Sequence, residues 1–380
     1  MPNFIPYAAL ILLLAVLALF YEQAESRMKR NITIGCFLIF LLFFGFRGYI
    51  WHDWQAYCQL FRDCDWTYFR INPFEGGAEH FYEPGYIIFN LLVKRFTNCY
   101  PVFQFIQTLI CLTLLFRFAL LKRLNVPFFL MLFLTFEGYV LLINLMRNAI
   151  SILIFINALP YIEERRPIPY FLLCIVATAF HLTGILFVPL YYILNMKINR
   201  WFFLALFIFG VSILVFRIKL LTPILGFLVG GSDTRFEIMA EMYSKFDEAK
   251  TLSIGLIERI ITATLTFIYY KDLLHVAPQN RVYVNMLILY LACVLYLSEF
   301  SVVSTRLGLL VICGYWMIWY YLIRVFYYRN NRIVFAIFIL VYSVIKSTIF
   351  NYSGIYKYQN HLFGVDSYEK SIQKVRNYED

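Results

Sequence analysis

The chain has 380 residues, of which 62% are hydrophobic, 20% are aromatic and only 15% are charged, and its mean hydropathy is +0.70. Soluble proteins contain about 45–50% apolar and about 25% charged residues, and surface-to-volume scaling limits how much apolar surface a soluble core can bury. The composition therefore excludes a soluble domain, a disordered chain, a collagen and a small disulfide scaffold. It predicts an integral membrane protein built as one polytopic domain.

The formal charge is +10, from 33 Lys and Arg against 23 Asp and Glu. On a soluble protein this excess would favour nucleic-acid binding. Here many cations lie in short gaps between apolar stretches, where positive charge fixes membrane topology. We therefore predict a lipid bilayer, and no nucleic acid, as the partner of the chain. Cys58, Cys64 and Cys99 fall in a loop, where a disulfide is possible.

A membrane-spanning helix needs about 20 mostly apolar residues. The candidate stretches are residues 4–21, 31–46, 101–121, 126–143, 146–162, 168–181, 183–196, 201–218, 252–270, 282–300, 305–327 and 332–350. The first stretch is interpreted as a retained span, because no small-residue cleavage site follows Phe20. The sequence thus predicts an all-α transmembrane bundle of about twelve spans over residues 1–350, followed by a polar tail over 351–380.

Basic residues in six of the gaps set the predicted orientation. They are Arg27, Lys29 and Arg30; Lys122 and Arg123; Arg165 and Arg166; Lys197 and Arg200; Lys271 and Arg281; and Arg324, Arg329 and Arg332. Placing these gaps in the cytoplasm puts both termini and two long loops, 47–100 and 219–251, outside. If the short segment 84–96 crossed the membrane, every later basic gap would lie outside. We therefore predict that this segment is an interfacial or re-entrant helix. The absence of any Gly-rich nucleotide-binding motif disfavours ATP-driven transport and dinucleotide chemistry.

The stretches 168–181 and 183–196 are too short to cross the membrane comfortably, and they meet near His181. They predict a broken pair of helices around a cavity, since interrupted backbone is tolerated only where protein or water covers it. An imidazole at such a break could act as a general base or donate a hydrogen bond to a sugar or phosphate. The alternative is an ordinary interhelical contact.

An ionisable side chain within the bilayer is energetically costly unless it is paired or faces water, and is therefore a candidate functional residue. Arg147 is the first such candidate. Asn144, Arg147, Asn148 and Ser151 fall on one helical stripe. A guanidinium among amides suits a diphosphate, because it offers forked donors and keeps its charge. The alternative is a salt bridge to Glu137, which lies on the same stripe if the helix is continuous, or to another acid.

Arg306 follows a polar run at a helix end and is a second candidate, with a pair to Glu299 as its alternative. In the loop after Arg47, Asp53 and Tyr57 share a face if the segment is helical. Trp54 suits an interfacial helix or a platform that stacks on sugars.

Glu83 precedes Pro84 at a predicted helix start. Its carboxylate could serve the site, or it could simply be favoured there by the helix dipole. Five scattered histidines form no i, i+4 pair, so no metal is predicted.

Taken in order, these motifs resemble the EpsG family of bacterial Wzy-like exopolysaccharide and O-antigen polymerases. The motifs are Phe46-Arg47; Asp53 and Tyr57; Glu83-Pro84-Gly85-Tyr86; Arg147-Asn148-Ala149; His181-Leu182-Thr183-Gly184; and Arg306. The likeness spans nearly the whole chain with comparable spacing. One departure is His52 before Asp53, where most members are expected to have a small residue.

The resemblance implies a multispanning architecture similar to GT-C glycosyltransferases, with its site on the outer face of the bacterial cytoplasmic membrane. It implies that a growing glycan is transferred from undecaprenyl diphosphate to a new lipid-linked oligosaccharide, with release of undecaprenyl diphosphate. It also implies a chain-length co-polymerase and a flippase as partners. No metal or cofactor is required on this interpretation.

The resemblance assigns Arg147 and Arg306 to the two lipid diphosphates, with Arg47 as a helper at the rim of the pocket. His181, Asp53 and Glu83 compete for the role of general base, and the depth of His181 slightly favours it. The supporting substrate-binding residues are Asn144, Asn148, Tyr57 and Trp54.

Three other functions remain open at this point. An O-antigen ligase-like transferase would share the substrate class and the arginines. A transporter or flippase of lipid-linked oligosaccharide would also line a cavity with cations, although the singled-out residues fall near one membrane face. A purely structural membrane scaffold is the third.

Overall fold

The computed structural model describes residues 3–69, 82–220, 222, 254–350 and 354–379. Across these residues the secondary structure is helical, and the only β-type pairings are isolated bridges at Asn360, to Arg47 and to Gly364. The all-α prediction is therefore confirmed. The predicted loop 219–251 lies outside the described residues, apart from 219, 220 and 222.

Several helices follow the predicted apolar stretches, whereas the stretches 126–143, 183–196 and 305–327 are each divided into shorter elements. In chain order they are α1 (Ile5–Gln23), α2 (Ser26–Phe40), α3 (Trp54–Asp63), α4 (Pro84–Lys94), α5 (Tyr100–Leu121), α6 (Val126–Phe133), α7 (Met146–Glu163), α8 (Pro167–Phe180), α9 (Leu190–Ile193), α10 (Arg200–Val215), α11 (Ile254–Ile268), α12 (Tyr270–Val276), α13 (Asn280–Tyr296), α14 (Ser301–Leu309), α15 (Cys313–Val325), α16 (Arg329–Phe350) and α17 (Tyr368–Glu379). They form two compact units, the first from Met1–Tyr191 and Ile333–Asp380, the second from Tyr192–Arg332.

Four helices of the described chain are long and apolar enough to cross a membrane: α1, α2 with its continuation to Gly45, α5 and α16. The pair α14 and α15 would make a fifth span, bent by 60° at its break. Several other apolar helices are shorter, and the 14 residues of α8 rise only about 21 Å against a hydrocarbon core of about 30 Å. The predicted number of about twelve spans and the GT-C-like architecture are not confirmed.

Two predicted spans of the first unit are interrupted. Helix α8 ends at His181, whose backbone is extended (φ −156°, ψ 128°), and a short 3₁₀ helix follows over Leu182–Phe187. The stretch 126–143 breaks after α6, where Glu137 adopts a left-handed conformation with φ 68°. Glu137 pairs with Lys346 at 3.9 Å. The break takes Glu137 off a continuous helix, and its ion pair is therefore not the one proposed with Arg147.

A π-helical turn over Leu41–Gly45 ends the α2 span. Such a turn releases backbone carbonyls from the regular ladder, and in an apolar environment each needs another donor. Three side chains supply the donors: Asn360 Nδ2 to the Leu42 carbonyl (2.8 Å), Tyr358 OH to the Phe43 carbonyl (3.0 Å) and Arg47 Nη1 to the Phe44 carbonyl (2.7 Å). Two of these donors come from the far end of the chain.

The predicted polar tail is folded onto the first unit. Its helix α17 buries Val375 in an aromatic cluster with α3. The ring of Tyr368 meets that of Trp54 in an edge contact at 5.6 Å, and the Arg62 guanidinium lies 4.5 Å from the Tyr368 ring. These contacts tie the end of the chain to the loop that follows α2.

We expect Asn360→Ala to destabilise the first unit by about 1–3 kcal/mol, because it leaves the Leu42 carbonyl without its donor in an apolar environment. Thermal unfolding of the detergent-purified protein would measure this as a lower melting temperature. Glu369→Ala, at an exposed position of α17, is the control. Equal melting temperatures for the two variants would contradict the role given to Asn360.

Candidate functional site

The predicted polar stripe is interrupted at Leu145, whose backbone is not helical (φ −84°, ψ 59°), so Asn144 precedes α7 while Arg147 and Asn148 lie in its first turn. Its residues contact three separate segments of the first unit. Asn144 Oδ1 accepts a hydrogen bond from the backbone N–H of Asp53 (3.1 Å). Arg147 Nη1 lies 2.5 Å from Glu83 Oε2, and the hydroxyl of Thr183 donates to Asn148 Oδ1 (3.3 Å). The stripe thus brings together the loop before α3, the start of α4 and the break after α8.

Two glycines permit the close approach of these segments. A Cβ atom on Gly85 would lie 2.6 Å from the backbone oxygen of Ala179, and one on Gly184 would lie 2.6 Å from the backbone nitrogen of Thr178. Both contacts are shorter than real Cβ atoms allow. The start of α4 and the turn after His181 therefore pack directly on the last turn of α8.

Glu83 joins two of these segments through its carboxylate. Oε2 accepts from Arg147, while Oε1 accepts from the backbone N–H of Leu182 (2.9 Å). The Glu83 side chain is 6% exposed and that of Arg147 is 20% exposed. A buried carboxylate is stable only when it is paired and hydrogen-bonded, and here both oxygens are engaged. Two roles were predicted for Arg147, binding of a diphosphate or a salt bridge to an acid. The structure contains the salt bridge, and its acid is Glu83.

The Arg147 guanidinium also lies against two phenol rings. Its Cζ is 4.8 Å from the centre of the Tyr82 ring and 5.9 Å from that of Tyr57. Burial raises the pKa of Tyr57 above its usual value, and the charge of Arg147 partly opposes this rise. Nε of Arg147 is buried and makes no hydrogen bond within the described residues. The guanidinium thus keeps a donor that its protein neighbours leave unsatisfied.

His181 is held by the residue two positions later. Its Nδ1 lies 2.7 Å from Thr183 Oγ1, and the Thr183 backbone N–H approaches the same nitrogen at 3.3 Å. Because the Thr183 N–H donates to it, Nδ1 is the accepting nitrogen, and the proton of the neutral ring lies on Nε2.

Comparison with known protein families identifies the family of this chain. The model of the EpsG family matches residues 7–360. This chain belongs to the EpsG family. No curated protein and no solved structure matches it. The family is one of Wzy-like polymerases, and the resemblance read from the sequence is thereby confirmed.

Within this EpsG chain, two predicted site residues are buried. Arg47 is only 4% exposed and donates to the Phe44 carbonyl and to Thr108 Oγ1 (2.8 Å). Its place at the rim of a substrate pocket stays a prediction. Trp54 packs on Tyr49, with ring centres 4.5 Å apart, and is buried rather than open as a sugar platform.

Arg306 lies in the second unit, on α14, with its side chain exposed. Within the described residues it forms no ion pair, and the predicted alternative partner, Glu299, accepts hydrogen bonds from Thr222 instead. Asp53 contributes its backbone N–H to Asn144 and precedes α3, which carries Tyr57. Among the described residues, no group of three His, Cys, Asp or Glu could hold a metal ion.

Sequence reasoning gave no role to Thr183, to the Leu182 N–H or to Tyr82. Thr183 is part of the motif His181-Leu182-Thr183-Gly184 and follows the histidine that ends a helix by two residues. This spacing is the signal that could have predicted its contact with His181. A side-chain acceptor often bonds the N–H two residues later at a helix start. The contact of the Leu182 N–H with Glu83 depends on folding and had no local signal.

We expect Gly85→Ala to destabilise the first unit by roughly 1–3 kcal/mol, because the added methyl group meets backbone that cannot move aside cheaply. It should also weaken activity, since Glu83 would be displaced from Leu182. Thermal unfolding and glycan length in the host strain measure the two effects. Gly35→Ala is the matched control, because no atom lies within 4 Å of its added Cβ; a Gly85 variant that behaves like it would refute the close-contact argument.

Proposed function

We propose that this EpsG-family chain is a polysaccharide polymerase of the bacterial cytoplasmic membrane. Its donor and acceptor would be oligosaccharide repeat units carried on undecaprenyl diphosphate, joined on the outer face of the membrane. The observation that carries the proposal is the convergence of Arg147, Glu83 and the His181–Thr183 turn on one stripe of α7. At this stripe, residues that are distant in sequence bring together a cation, a carboxylate and an imidazole.

In the proposed reaction, a hydroxyl oxygen of the acceptor sugar attacks the anomeric carbon of the donor glycan. A new glycosidic C–O bond forms as the bond to the diphosphate oxygen breaks. The electron pair of the broken bond leaves with undecaprenyl diphosphate, and the hydroxyl proton passes to the general base. The step is a substitution without redox change, so it needs no oxidant, reductant or cofactor.

Arg147 is assigned to the diphosphate. A preplaced guanidinium in a water-poor pocket stabilises the charge that develops on the leaving group. One Nη is used by Glu83 and a further hydrogen bond joins the guanidinium to Tyr57, while Nε has no protein partner within the described residues, so part of its donor capacity remains. Because Glu83 already accepts two hydrogen bonds, we assign it to positioning Arg147 and the turn at Leu182 rather than to proton transfer.

His181 is then proposed to hydrogen-bond the reacting sugar or phosphate. The backbone N–H of Thr183 donates to Nδ1 at 3.3 Å, and the Thr183 hydroxyl lies 2.7 Å from the same nitrogen. These contacts orient the ring and place the proton of the neutral imidazole on Nε2, which can donate to a substrate oxygen. Asp53, whose backbone N–H is fixed by Asn144, is then the proposed general base.

We also assign Arg306 to a second diphosphate, and Tyr57 and Asn144 to substrate binding. These assignments rest on the sequence resemblance and on the position of each residue within its own unit. Arg47 and Trp54 are buried in the first unit and would act only by shaping it. The co-polymerase and flippase remain proposed partners.

We expect Arg147→Lys to abolish elongation of the surface glycan, because a point charge does not replace a planar fork on both Glu83 and a diphosphate. Glycan length in a strain that carries only this variant is the measurement. Protein abundance in the membrane must be scored in parallel, because breaking a buried ion pair costs about 3–5 kcal/mol.

The matched control is a second ion pair of the same helix. Glu163 Oε2, at the other end of α7, lies 2.5 Å from Lys122 Nζ, with side chains 18% and 10% exposed. Glu163→Gln should lower stability but leave polymer length normal. Normal elongation in Arg147→Lys at normal protein level, or equal loss in both variants, would show that Arg147 is only structural.

Thr183→Val tests the role of His181. The variant keeps the shape of the side chain but removes the hydroxyl that lies 2.7 Å from Nδ1 and helps to orient the ring. We expect the elongation rate to fall at least about tenfold, because a misplaced imidazole no longer meets the reacting group. Thr183→Ser should restore the rate. Thr178→Val is the control, since its hydroxyl bonds only within α8, to the Cys174 carbonyl. An unchanged rate and pH profile in Thr183→Val would exclude this assignment.

The phenotype of a deletion strain separates polymerase from ligase. A polymerase predicts single, unextended repeat units on the surface, whereas a ligase predicts long chains that accumulate on the lipid carrier. A transporter predicts that the reconstituted chain moves lipid-linked sugar across a bilayer without lengthening it.

A further inference from the structure

The C-terminal segment forms a rigid turn with an apolar tip. Its residues 360–364 close on themselves through the bridge between Asn360 and Gly364, which has φ 112° and so favours glycine. At the tip, Leu362 is 53% exposed and Phe363 is 87% exposed. Two adjacent large apolar side chains held in water would be costly, and no described residue covers them.

The turn lies at the end of a candidate membrane span. The backbone N–H of His361 donates to the carbonyl of Phe46 (2.8 Å), and Asn360 Nδ2 donates to the carbonyl of Leu42 (2.8 Å). The span formed by α2 and its continuation ends at Gly45. Leu38 and Leu42 of this span are themselves half exposed, as side chains that face lipid are. The tip is therefore placed at the boundary of the bilayer.

Each backbone N–H from His361 to Gly364 has a partner within the protein. His361 donates to the Phe46 carbonyl, Leu362 to Asn360 Oδ1, and Phe363 and Gly364 both to the Asn360 carbonyl, at 2.8–2.9 Å. Irregular backbone can enter a lipid environment only when its polar groups are satisfied internally. A turn that merely faced water would not need this, because water would bond to its N–H groups.

The flanks of the turn are fixed. Val365 packs so closely on Gly48 that an added Cβ there would lie 2.7 Å from Val365 Cγ1. The backbone N–H of Gly48 donates a hydrogen bond to the carbonyl oxygen of Gln359 (2.8 Å). Only the two apolar side chains project from this anchored frame.

We propose that the turn over 361–364 inserts Leu362 and Phe363 into the lipid at the boundary where the α2 span ends, with phospholipid acyl chains as the partner. The insertion anchors the C-terminal segment to the membrane. Through the bonds of Asn360 and Tyr358 it also holds the π-helical turn that precedes Arg47. The inference does not depend on the proposed reaction.

A fluorescent probe at the tip tests the proposal. Phe363→Cys in a Cys99→Ser background, where Cys99 is the exposed cysteine, would be labelled with an environment-sensitive nitrobenzoxadiazole. The labelled protein would be reconstituted into phosphatidylcholine vesicles, with or without bromine atoms on the acyl chains. We expect a blue-shifted emission and loss of most of its intensity in the brominated lipid. The same label on Glu369→Cys, at an exposed position of α17, should emit as in water and resist quenching.

Two results would overturn the proposal. Water-like emission at position 363, equal to that at 369, would leave the turn outside the bilayer. Blue-shifted emission that bromination does not quench would indicate burial against protein, such as a second copy of the chain. Elution in gel filtration identical to that of the unlabelled protein checks the fold, and a label on Leu362→Cys repeats the measurement one residue away.

Discussion

The arrangement of the candidate site depends on one carboxylate. Glu83 stands at the start of α4, yet its two oxygens bind a side chain of α7 and a backbone N–H at the end of α8. A carboxylate taken out of water needs such partners, and each partner in turn is a group that the apolar surroundings would not tolerate alone. The guanidinium, the carboxylate and the interrupted helix thus satisfy one another. Loss of any one of them would leave the others buried without a hydrogen-bond partner, which is costly in free energy.

The same rule accounts for the other irregular parts of the first unit. At two interruptions, polar side chains from elsewhere in the chain take up released backbone groups. Asn360 and Tyr358 do so at the π-helical turn, and Glu83 does so after α8. These two breaks are therefore paired with distant polar residues, which gives a structural reason for Asn360, Tyr358 and Glu83 in a highly hydrophobic chain.

Much of this could be predicted from the sequence, because the signals were local. Apolar stretches indicated many of the helices, and their shortness around His181 predicted the break. The spacing of Arg147 and Asn148 predicted that they share one face of α7, whereas the non-helical Leu145 puts Asn144 outside that helix. The choice of acid for Arg147 could not be predicted, because Glu137 lies on that stripe only if α6 and α7 are continuous, and the left-handed backbone at Glu137 breaks them. The burial of Trp54 could not be predicted, because nothing local to the loop indicates that α17 returns to cover it. The number of spans stays a prediction, because apolar stretches that are interrupted or short look the same in the sequence as complete spans.

The donors at the π-helical turn also bear on the order in which the protein is made. Asn360 and Tyr358 are synthesised 318 and 315 residues after Leu42 and Phe43, whose carbonyls they bind. The α2 segment therefore emerges from the ribosome with carbonyls that the nascent polypeptide cannot yet satisfy. Its final hydrogen bonding must wait until the intervening chain has been made, so this early helix is completed by a late part of the chain.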